Sequence, residues 1–320
     1  MSTVLSRSSI AILTLTCALA LALLVGQAQG QAAATDERVP CRNYDDILAL
    51  FDRLGYTQRA WQAGIREVPR VYLDDIPDSW RERSDKMASV ADKKRLFFRV
   101  LGPIVLRINE LIAADRARAR TITSKLQTGE GVSIEDQAWL AELAVRYKVS
   151  DGPDDPINPD DYVELLTRVD IIPLSLALAQ AASESGWGTS RFAREGNALF
   201  GQWTWGKGMT PAEQRADTLG DYRVAAFEST ALSAYSYALN LNTSNAYRDL
   251  RLKRADLRRQ NLRLSGTALA DTLLRYSERG QEYVDDLKGI IRVNRLDATD
   301  DAYLKEMAVI HIVPAEAAAQ

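Results

Sequence analysis

The sequence predicts a mainly α protein with a small β-hairpin lobe, and three observations carry this prediction. Apolar residues recur at helical spacing through most of the chain after residue 40. The helical period disappears between Phe200 and Phe227, where Leu219-Gly-Asp-Tyr222 is a turn signal and apolar residues alternate with polar ones after it. The stretch 150–159 is rich in Asp, Pro and Gly and favours a boundary between two helical regions.

Residues 1–28 have the organisation of a secretory signal peptide. A single basic residue, Arg7, precedes an apolar run from Ile10 to Val25, and Gly26-Gln27-Ala28 fits a signal-peptidase site. We therefore expect export, to the periplasm, with no stable membrane insertion after cleavage. Secretion or an uncleaved N-terminal membrane anchor is the alternative, but the apolar run is short for a membrane span.

The remaining chain divides into four segments by composition. We expect a polar linker at 29–40, a helical N-terminal region at 41–149, a second helical region at 160–295, and a tail at 296–320 that frays.

In the N-terminal region the spacing predicts a helix from Tyr44 and an extended segment over Val68–Pro77. A long helix through Leu96–Ile112 follows, which Gly102-Pro103 starts or kinks. A further helix is capped by Ser133 with Asp136.

The second region is predicted to contain five helices. They cover Tyr162–Thr167, a stretch opened by Pro173, Ser229–Leu239, Thr267–Ser277 and Tyr283–Ile291. The run Arg248–Arg263 is basic, and we expect a solvated helix face there, with local attraction to an anionic polymer as the functional alternative.

Composition excludes several classes of function. With 40 basic and 43 acidic residues the chain lacks the basic field of a nucleic-acid binder. His311 is the only histidine, which excludes an ordinary Ser-His-Asp triad and a His-rich zinc site, and we expect it to pack in an apolar or edge position. Cys41 is the only cysteine beyond the signal segment, so it has no intramolecular disulfide partner. No metal or organic cofactor is expected.

Glu184 is the residue with the clearest chemical potential, because it lies where an apolar helix is expected to end. Gly186 and Gly188 follow it, and glycines of this kind end helices. The negative end of the helix dipole and an apolar setting with Trp187 and Phe200 would both raise the pKa of its carboxyl group. A general acid for glycosidic cleavage needs that protonated state. The alternative is a solvated last-turn residue followed by a simple glycine cap.

The sequence around Glu184 resembles a known enzyme family. Glu184-Ser-Gly-Trp-Gly188 followed by Asn197-Ala-Leu-Phe-Gly201 is similar to the glucosaminidases of glycoside hydrolase family 73. With Tyr276-Ser-Glu-Arg-Gly-Gln-Glu-Tyr283, and with Val68–Leu73 and Lys93–Phe97 upstream, the chain looks most like the bacterial Bax-type members. The resemblance implies a lysozyme-like catalytic domain preceded by a helical N-terminal region. It also implies an endo-β-N-acetylglucosaminidase that cuts peptidoglycan glycan strands.

Glycosidases commonly need a second carboxylate besides the general acid. The resemblance places that group in the β lobe, where Glu213, Asp217 and Asp221 are the candidates. The substrate's own acetamido group is the alternative nucleophile. Glu228 is a weaker candidate because it precedes Ser229 at a predicted helix start.

Aromatic and amide side chains around these motifs could form a sugar-binding surface, because aromatic faces stack on sugar rings and amides bond their hydroxyls. Trp203 and Trp205 lie in a Gly-bounded loop, where the pattern is equally compatible with exposure and burial. The resemblance implies that Tyr276 faces the cleft. The alternative for such aromatics is core packing. The predicted substrate-binding residues are Trp187, Asn197, Gln202, Trp203, Trp205 and Tyr276.

Two other functions are compatible with these residues. A lytic transglycosylase of the same fold would use one glutamate and release an anhydro-muramic product. A non-catalytic wall-binding or morphogenetic protein would keep the aromatic surface without needing the acid. The expected partner in every case is the peptidoglycan glycan strand, and the sequence identifies no protein partner.

Overall fold

The computed structural model describes residues 36–74, 89–204, 208–210 and 223–315. The described chain is mainly helical with a few short strands, which confirms the predicted fold class. The predicted signal peptide at 1–28 lies outside the described residues. Within the described ranges, the helices are too short or too polar to cross a membrane.

The N-terminal region has the predicted order of elements. The first helix begins at Tyr44 as expected, and the Asn43 side chain caps it by accepting from the backbone N–H groups of Asp45 and Asp46. The elements are β1 (Glu37–Cys41), α1 (Tyr44–Arg53), α2 (Gln58–Gln62), β2 (Glu67–Val68), β3 (Val71–Leu73), α3 (Val90–Thr128) and α4 (Ile134–Arg146).

Helix α3 is longer than its apolar stripe indicated. It begins after the Ser89 cap and continues through Pro103, so Gly102-Pro103 does not start it. Leu101, Ile104 and Val105 are buried on either side of the proline. This packing offsets the backbone hydrogen bond that a proline inside a helix removes.

The second region supplies most of the remaining helices. They are α5 (Pro159–Arg168), α6 (Leu174–Ser185), α7 (Arg191–Gly196), α8 (Thr230–Thr243), α9 (Arg248–Arg259), α10 (Gly266–Ala270) and α11 (Gln281–Val293), with 3-10 turns at Asn245–Tyr247 and Leu296–Asp301. The short strands are β4 (Trp203–Thr204), β5 (Arg223–Val224), β6 (Tyr303–Leu304) and β7 (Ile310–Pro314).

The helix predicted over Thr267–Ser277 is wrong in its second half. Helix α10 ends at Ala270, and the chain continues in turns, with the N–H of Leu273 donating to Ala270 O at 3.0 Å and that of Tyr276 to Leu273 O at 2.9 Å. These i to i+3 bonds replace the α-helical ones. Tyr276 is therefore positioned by a turn rather than by a helix face.

The predicted β lobe is present. Strands β4 and β5 pair antiparallel, with Trp203 opposite Val224 and Thr204 opposite Arg223, and Met209 forms a further bridge to Val224. The turn predicted at 219–222 lies outside the described residues.

A parallel sheet joins the two ends of the described chain. Strand β7 lies between β1 and β3, and β2 pairs with β6. The expected fraying of the tail is therefore wrong for 296–315, and the expected linker is wrong for 37–40. Ile310 and Ile312 are buried with Ile47 and Phe51 in one cluster, so burial of apolar side chains holds the terminal strand in place.

The single histidine and the single remaining cysteine lie in this sheet. Cys41 is buried and free. His311 is on the central strand rather than in an apolar or edge position, and its Nδ1 is 2.9 Å from Oδ2 of Asp74. Both residues contribute to packing and pairing in the sheet.

The N-terminal region and the second region share one hydrophobic core. Ile104 and Ile108 of α3 belong to the same buried cluster as Leu176 and Leu178 of α6. The side chain of Asn109 adds a buried hydrogen bond of 2.7 Å to the Ile172 carbonyl. The predicted boundary at 150–159 thus separates helices along the chain without separating their cores.

The basic run is not a uniformly solvated face. Arg251 and Arg254 are only 1% and 0% exposed, which overturns both the solvated and the polymer-attracting interpretation for these two side chains. Arg254 donates to the carbonyl of Thr167 at 3.0 Å, at the C-terminal end of α5, and lies beside Asp170. Buried arginines here satisfy helix-end carbonyls and a buried carboxylate.

Candidate active site

Glu184 lies in the last turn of α6, as the glycines predicted. Gly186 follows the helix with φ 56°, in the left-handed region that favours glycine. The backbone N–H groups of Gly186 and Trp187 both donate to the carbonyl of Ala182. Ser185 fixes the next turn because its Oγ accepts from Gly188 N at 2.8 Å. The helix end therefore presents Glu184 from a rigid frame.

The carboxyl group of Glu184 is half-buried, and burial raises its pKa above the ordinary value. A hydrogen bond from Tyr283 and the positive charge of Arg279 act in the opposite direction, and burial outweighs them. The predicted direction of the shift is thus supported, and burial is its largest cause. The carboxyl group holds its proton to a higher pH than an exposed glutamate does.

A buried chain of hydrogen bonds ends on Glu184. Tyr237 donates its hydroxyl proton to Oε1 of Gln180 at 2.7 Å, and Nε2 of Gln180 donates to the hydroxyl oxygen of Tyr283 at 3.2 Å. The Tyr283 hydroxyl in turn bonds the Glu184 carboxyl. This bond favours the charged form of Glu184, as a hydroxyl that donates to a carboxylate does.

Gly201 packs directly against this carboxyl group. Its φ is +60°, and a Cβ atom at this position would lie 2.7 Å from Oε2 of Glu184 and 3.4 Å from its Cβ. No real Cβ atom sits that close to an oxygen. A glycine is needed here both for the backbone conformation and for the contact.

Tyr276 supports the loop that carries Gly201. Its hydroxyl donates to the carbonyl of Phe200 at 2.8 Å, and its ring stacks parallel on Tyr283 with centroids 5.6 Å apart. Phe200 itself stacks on Tyr237 at 4.0 Å. Tyr276 therefore lies beside the site, as the resemblance implied, with its hydroxyl occupied by a backbone carbonyl. Its predicted contact with sugar stays a prediction.

Trp187 connects the motif to the N-terminal region. Its indole ring makes edge contacts with Phe97 and Phe98 of α3, at 6.0 and 5.3 Å between centroids, and the ammonium of Lys94 lies 4.4 Å above it. The ring is half-buried. Its packing supports the helix end after Glu184. A contact between Trp187 and sugar stays a prediction.

The two predicted amides have structural partners. Asn197 is 5% exposed, ends α7 with φ 49°, and donates from Nδ2 to the Phe227 carbonyl at 3.1 Å. Gln202 donates from Nε2 to Oγ of Ser236 at 3.1 Å. Oδ1 of Asn197 and Oε1 of Gln202 are both buried atoms with no hydrogen-bond partner among the described residues. Burial therefore disfavours a sugar contact by either amide, and the predicted contacts stay predictions.

The β lobe contributes one described aromatic side chain to the candidate site. Trp203 is 51% exposed on β4. The other predicted lobe residues lie outside the described residues, namely Trp205, Glu213, Asp217 and Asp221.

Sequence reasoning missed Gln180 and Tyr237 as supports of Glu184. Gln180 carried a usable signal, because it precedes Glu184 by one helical turn in an otherwise apolar helix. A buried amide in that position needs hydrogen-bond partners, and the nearest reactive group on the same face is Glu184. Tyr237 gave no comparable local signal.

Comparisons with known proteins identify the family of the chain. The family model described as mannosyl-glycoprotein endo-beta-N-acetylglucosaminidase matches residues 159–308. Protein bax of Escherichia coli (strain K12) is 34% identical over 210 residues, which cover 66% of this chain and 73% of that protein. No solved structure matches the chain. The family match starts at the first residue of α5 and contains Glu184, Gln180, Gly201 and Tyr283.

Proposed function

Because the chain belongs to the glucosaminidase family as a Bax-type member, we propose that it is an exported peptidoglycan hydrolase. It cuts the glycan as an endo-β-N-acetylglucosaminidase, between N-acetylglucosamine and its N-acetylmuramic acid neighbour, and needs no metal or organic cofactor. The observation that carries the proposal is the half-buried Glu184 carboxyl group with its raised pKa and its Tyr283 hydrogen bond. Export to the periplasm is supported by the signal-like residues 1–28.

In this mechanism Glu184 is the general acid. Its proton goes to the glycosidic oxygen as the bond to the anomeric carbon breaks, and the leaving sugar departs as a neutral alcohol. The electron pair of a carboxylate or of the substrate acetamido group stabilises the oxocarbenium-like transition state. Water then completes the hydrolysis. Tyr283 orients the carboxyl group through its hydrogen bond to it.

Glu213, Asp217 and Asp221 remain the candidates for the second group. Single changes to Gln or Asn are expected to give one strong loss of cleavage, or none when the acetamido group acts instead. Strong losses from two of the three variants would contradict a single role for the lobe. The rates of glycan cleavage by the three variants measure this.

Product analysis tests the proposed reaction. Purified peptidoglycan is digested with the mature protein, and the released fragments are analysed by mass spectrometry. Fragments with reducing N-acetylglucosamine ends are the expected result. Anhydro-muramic ends would assign the protein as a lytic transglycosylase, and binding without cleavage would assign it as a non-catalytic wall-binding protein.

Tyr283→Phe is expected to move the pH profile toward higher pH. The Tyr283 hydroxyl favours the charged form of Glu184, so its loss raises the pKa of that carboxyl group further. A general acid works below its pKa, and the falling limb of kcat/KM against pH therefore shifts upward. Arg292→Gln, an exposed change on the same helix α11, is the control and leaves the limb unchanged. A downward shift for Tyr283→Phe would show that Tyr283 does not donate to Glu184.

Trp203→Ala is expected to weaken binding of chitooligosaccharide with little change in thermal stability. The indole is 51% exposed, so its removal leaves no core cavity. Tyr303→Ala removes a 57% exposed aromatic ring from another sheet and serves as the control, with unchanged binding. Calorimetric titration and thermal melting measure both effects. A loss of several kcal/mol of stability would assign Trp203 to the core.

A further inference from the structure

A cavity lies between the N-terminal region and the glucosaminidase region. It has a volume of about 600 Å³ and is lined by α2, the first half of α3, the start of α6 and the turn around residues 294–302. Its size is that of a site for a small ligand or a short peptide. None of Glu184, Gln180 and Tyr283 lines it.

The charged side chains that line this cavity are all basic, although Arg95 pairs with Asp92 and Arg99 with Asp52 behind the lining. Arg66, Arg95, Arg99 and Arg295 line it, and no aspartate or glutamate is among the described lining residues. Arg66 is held in place by a 2.9 Å bond to the Trp61 carbonyl and by its position 4.4 Å over the Trp61 ring. The cavity therefore selects for an anion.

Arg99 is a largely buried cation at the wall of the cavity. Its side chain is 12% exposed, stacks over Phe51 and Tyr56, and pairs with Asp52 at 3.5 Å between Nη2 and Oδ1. The Asp52 side chain is 63% exposed, so water screens this pair. Burial lowers the pKa of Arg99, as expected for a cation with little compensation. A bound carboxylate would supply the charge and the bidentate geometry that a guanidinium prefers.

The walls favour a peptide over a fatty acyl chain. Apolar surface comes from Tyr56, Trp61, Phe98 and Leu178, whereas amide and hydroxyl groups come from Thr57, Gln58, Gln62, Asn294 and Thr299. Thr57, Asn294 and Thr299 already bond backbone groups of the protein. The amides of Gln58 and Gln62 remain as groups that a peptide backbone can bond and an acyl chain cannot.

The cavity and the candidate active site adjoin the same helix. Leu178 lines the cavity and precedes Glu184 by six residues on α6, which is about 9 Å along the helix axis and a different face of the helix. Phe98 lines the cavity and also contacts Trp187, which follows the end of helix α6. An extended peptide of four residues spans about 13 Å.

We propose that this cavity binds the carboxylate-bearing stem peptide attached to the glycan strand that Glu184 cleaves. The identity of the glycan rests on the proposed function. The N-terminal region then has a defined task, because it supplies three of the four arginine side chains. Through this cavity the enzyme prefers peptide-bearing strands over bare glycan.

Direct binding tests the cavity without any cleavage step. The probe is a synthetic stem tetrapeptide, L-Ala-D-Glu-diaminopimelate-D-Ala, titrated calorimetrically into the full-length mature protein. The double variant Arg95→Gln, Arg99→Gln is expected to weaken binding by about 10-fold or more, since each charged hydrogen bond contributes at least that factor. Arg118→Gln is the matched control. Arg118 is on the same helix, is 41% exposed against 45% for Arg95, and pairs with Asp136 as Arg95 pairs with Asp92.

Thermal melting shows first whether each variant is folded. If the double variant does not fold, the single variant Arg95→Gln tests the cavity in its place. Unchanged tetrapeptide affinity in a folded Arg95→Gln, Arg99→Gln protein would overturn the proposal. Binding of oleate in place of the tetrapeptide, weakened by the same changes, would overturn it in favour of a lipid.

Cleavage assays separate this proposal from the proposed function. The double variant is expected to cleave peptide-free glycan strands at the wild-type rate and peptide-bearing peptidoglycan more slowly. A double variant that cleaves both substrates at the wild-type rate would contradict the stem-peptide role and leave the proposed hydrolase activity unaffected. Tetrapeptide binding by a protein that cleaves neither substrate would refute the hydrolase and keep the cavity as a peptide site.

Discussion

Glu184→Gln is expected to lower glycan cleavage by on the order of 100-fold or more, and to leave the protein folded, because an amide cannot deliver the proton that the leaving oxygen needs. The side chain keeps its shape, and its amide oxygen can still accept from Tyr283. Initial rates of release of reducing ends from purified peptidoglycan, together with thermal melting, measure the two parts of this expectation.

Glu195→Gln is the matched control for this change. Glu195 lies on α7, eleven residues further along the chain, and is 44% exposed in a pair with Arg191. Its replacement leaves the rate within about two-fold of wild type, since exposed ion pairs contribute little. Near-normal cleavage by folded Glu184→Gln protein would remove Glu184 from the mechanism.

Gly201→Ala is expected to lower cleavage by about 100-fold, because displacement of a catalytic group by about 1 Å has effects of this size. The added methyl group would lie 2.7 Å from Oε2 of Glu184, so the carboxyl group must turn away from its present position. The left-handed backbone at φ +60° adds a stability cost of about 1–2 kcal/mol. Steady-state kinetics and urea unfolding measure the two effects separately.

Gly129→Ala separates the contact from the backbone strain. Gly129 ends α3 with φ +76°, and a Cβ there would meet nothing within 4 Å. This variant should therefore show the backbone cost of about 1–2 kcal/mol without loss of activity. If both variants lose the same stability and neither loses activity, then the contact between Gly201 and Glu184 has no catalytic importance.

The helix that carries Glu184 could be predicted from sequence because its signals are local. An apolar run, a proline before it and glycines after it fix the start and the end of α6 within a few residues. The same is true of Ser133 and Ser229, which cap their helices as expected.

The partners of Glu184 could not be predicted in the same way, because they come from distant parts of the chain. Gln180 and Tyr283 are separated by 103 positions, and Gln180 and Tyr237 by 57. The parallel pairing of β7 with β1 and β3 is equally non-local. A short apolar strand near a chain end looks like a frayed tail until its partners are known.

The buried arginines illustrate a third limit. Arg251 and Arg254 lie in a run of basic residues with the composition of an exposed helix face. Their burial depends on carbonyl groups at the end of α5 and on Asp170, and a linear pattern contains no information on those acceptors. The charge pattern alone therefore favoured the wrong environment.

The most direct test of the account is the pKa of Glu184 itself. Carbon-13 NMR titration of the side-chain carboxyl groups, with Glu184→Gln to assign the signal, gives the midpoint for this residue in the folded protein. The account predicts a midpoint above the ordinary glutamate value of about 4.3, coincident with the falling limb of kcat/KM against pH. A midpoint at or below that value, or one unrelated to the activity limb, would contradict the assignment of Glu184 as the general acid.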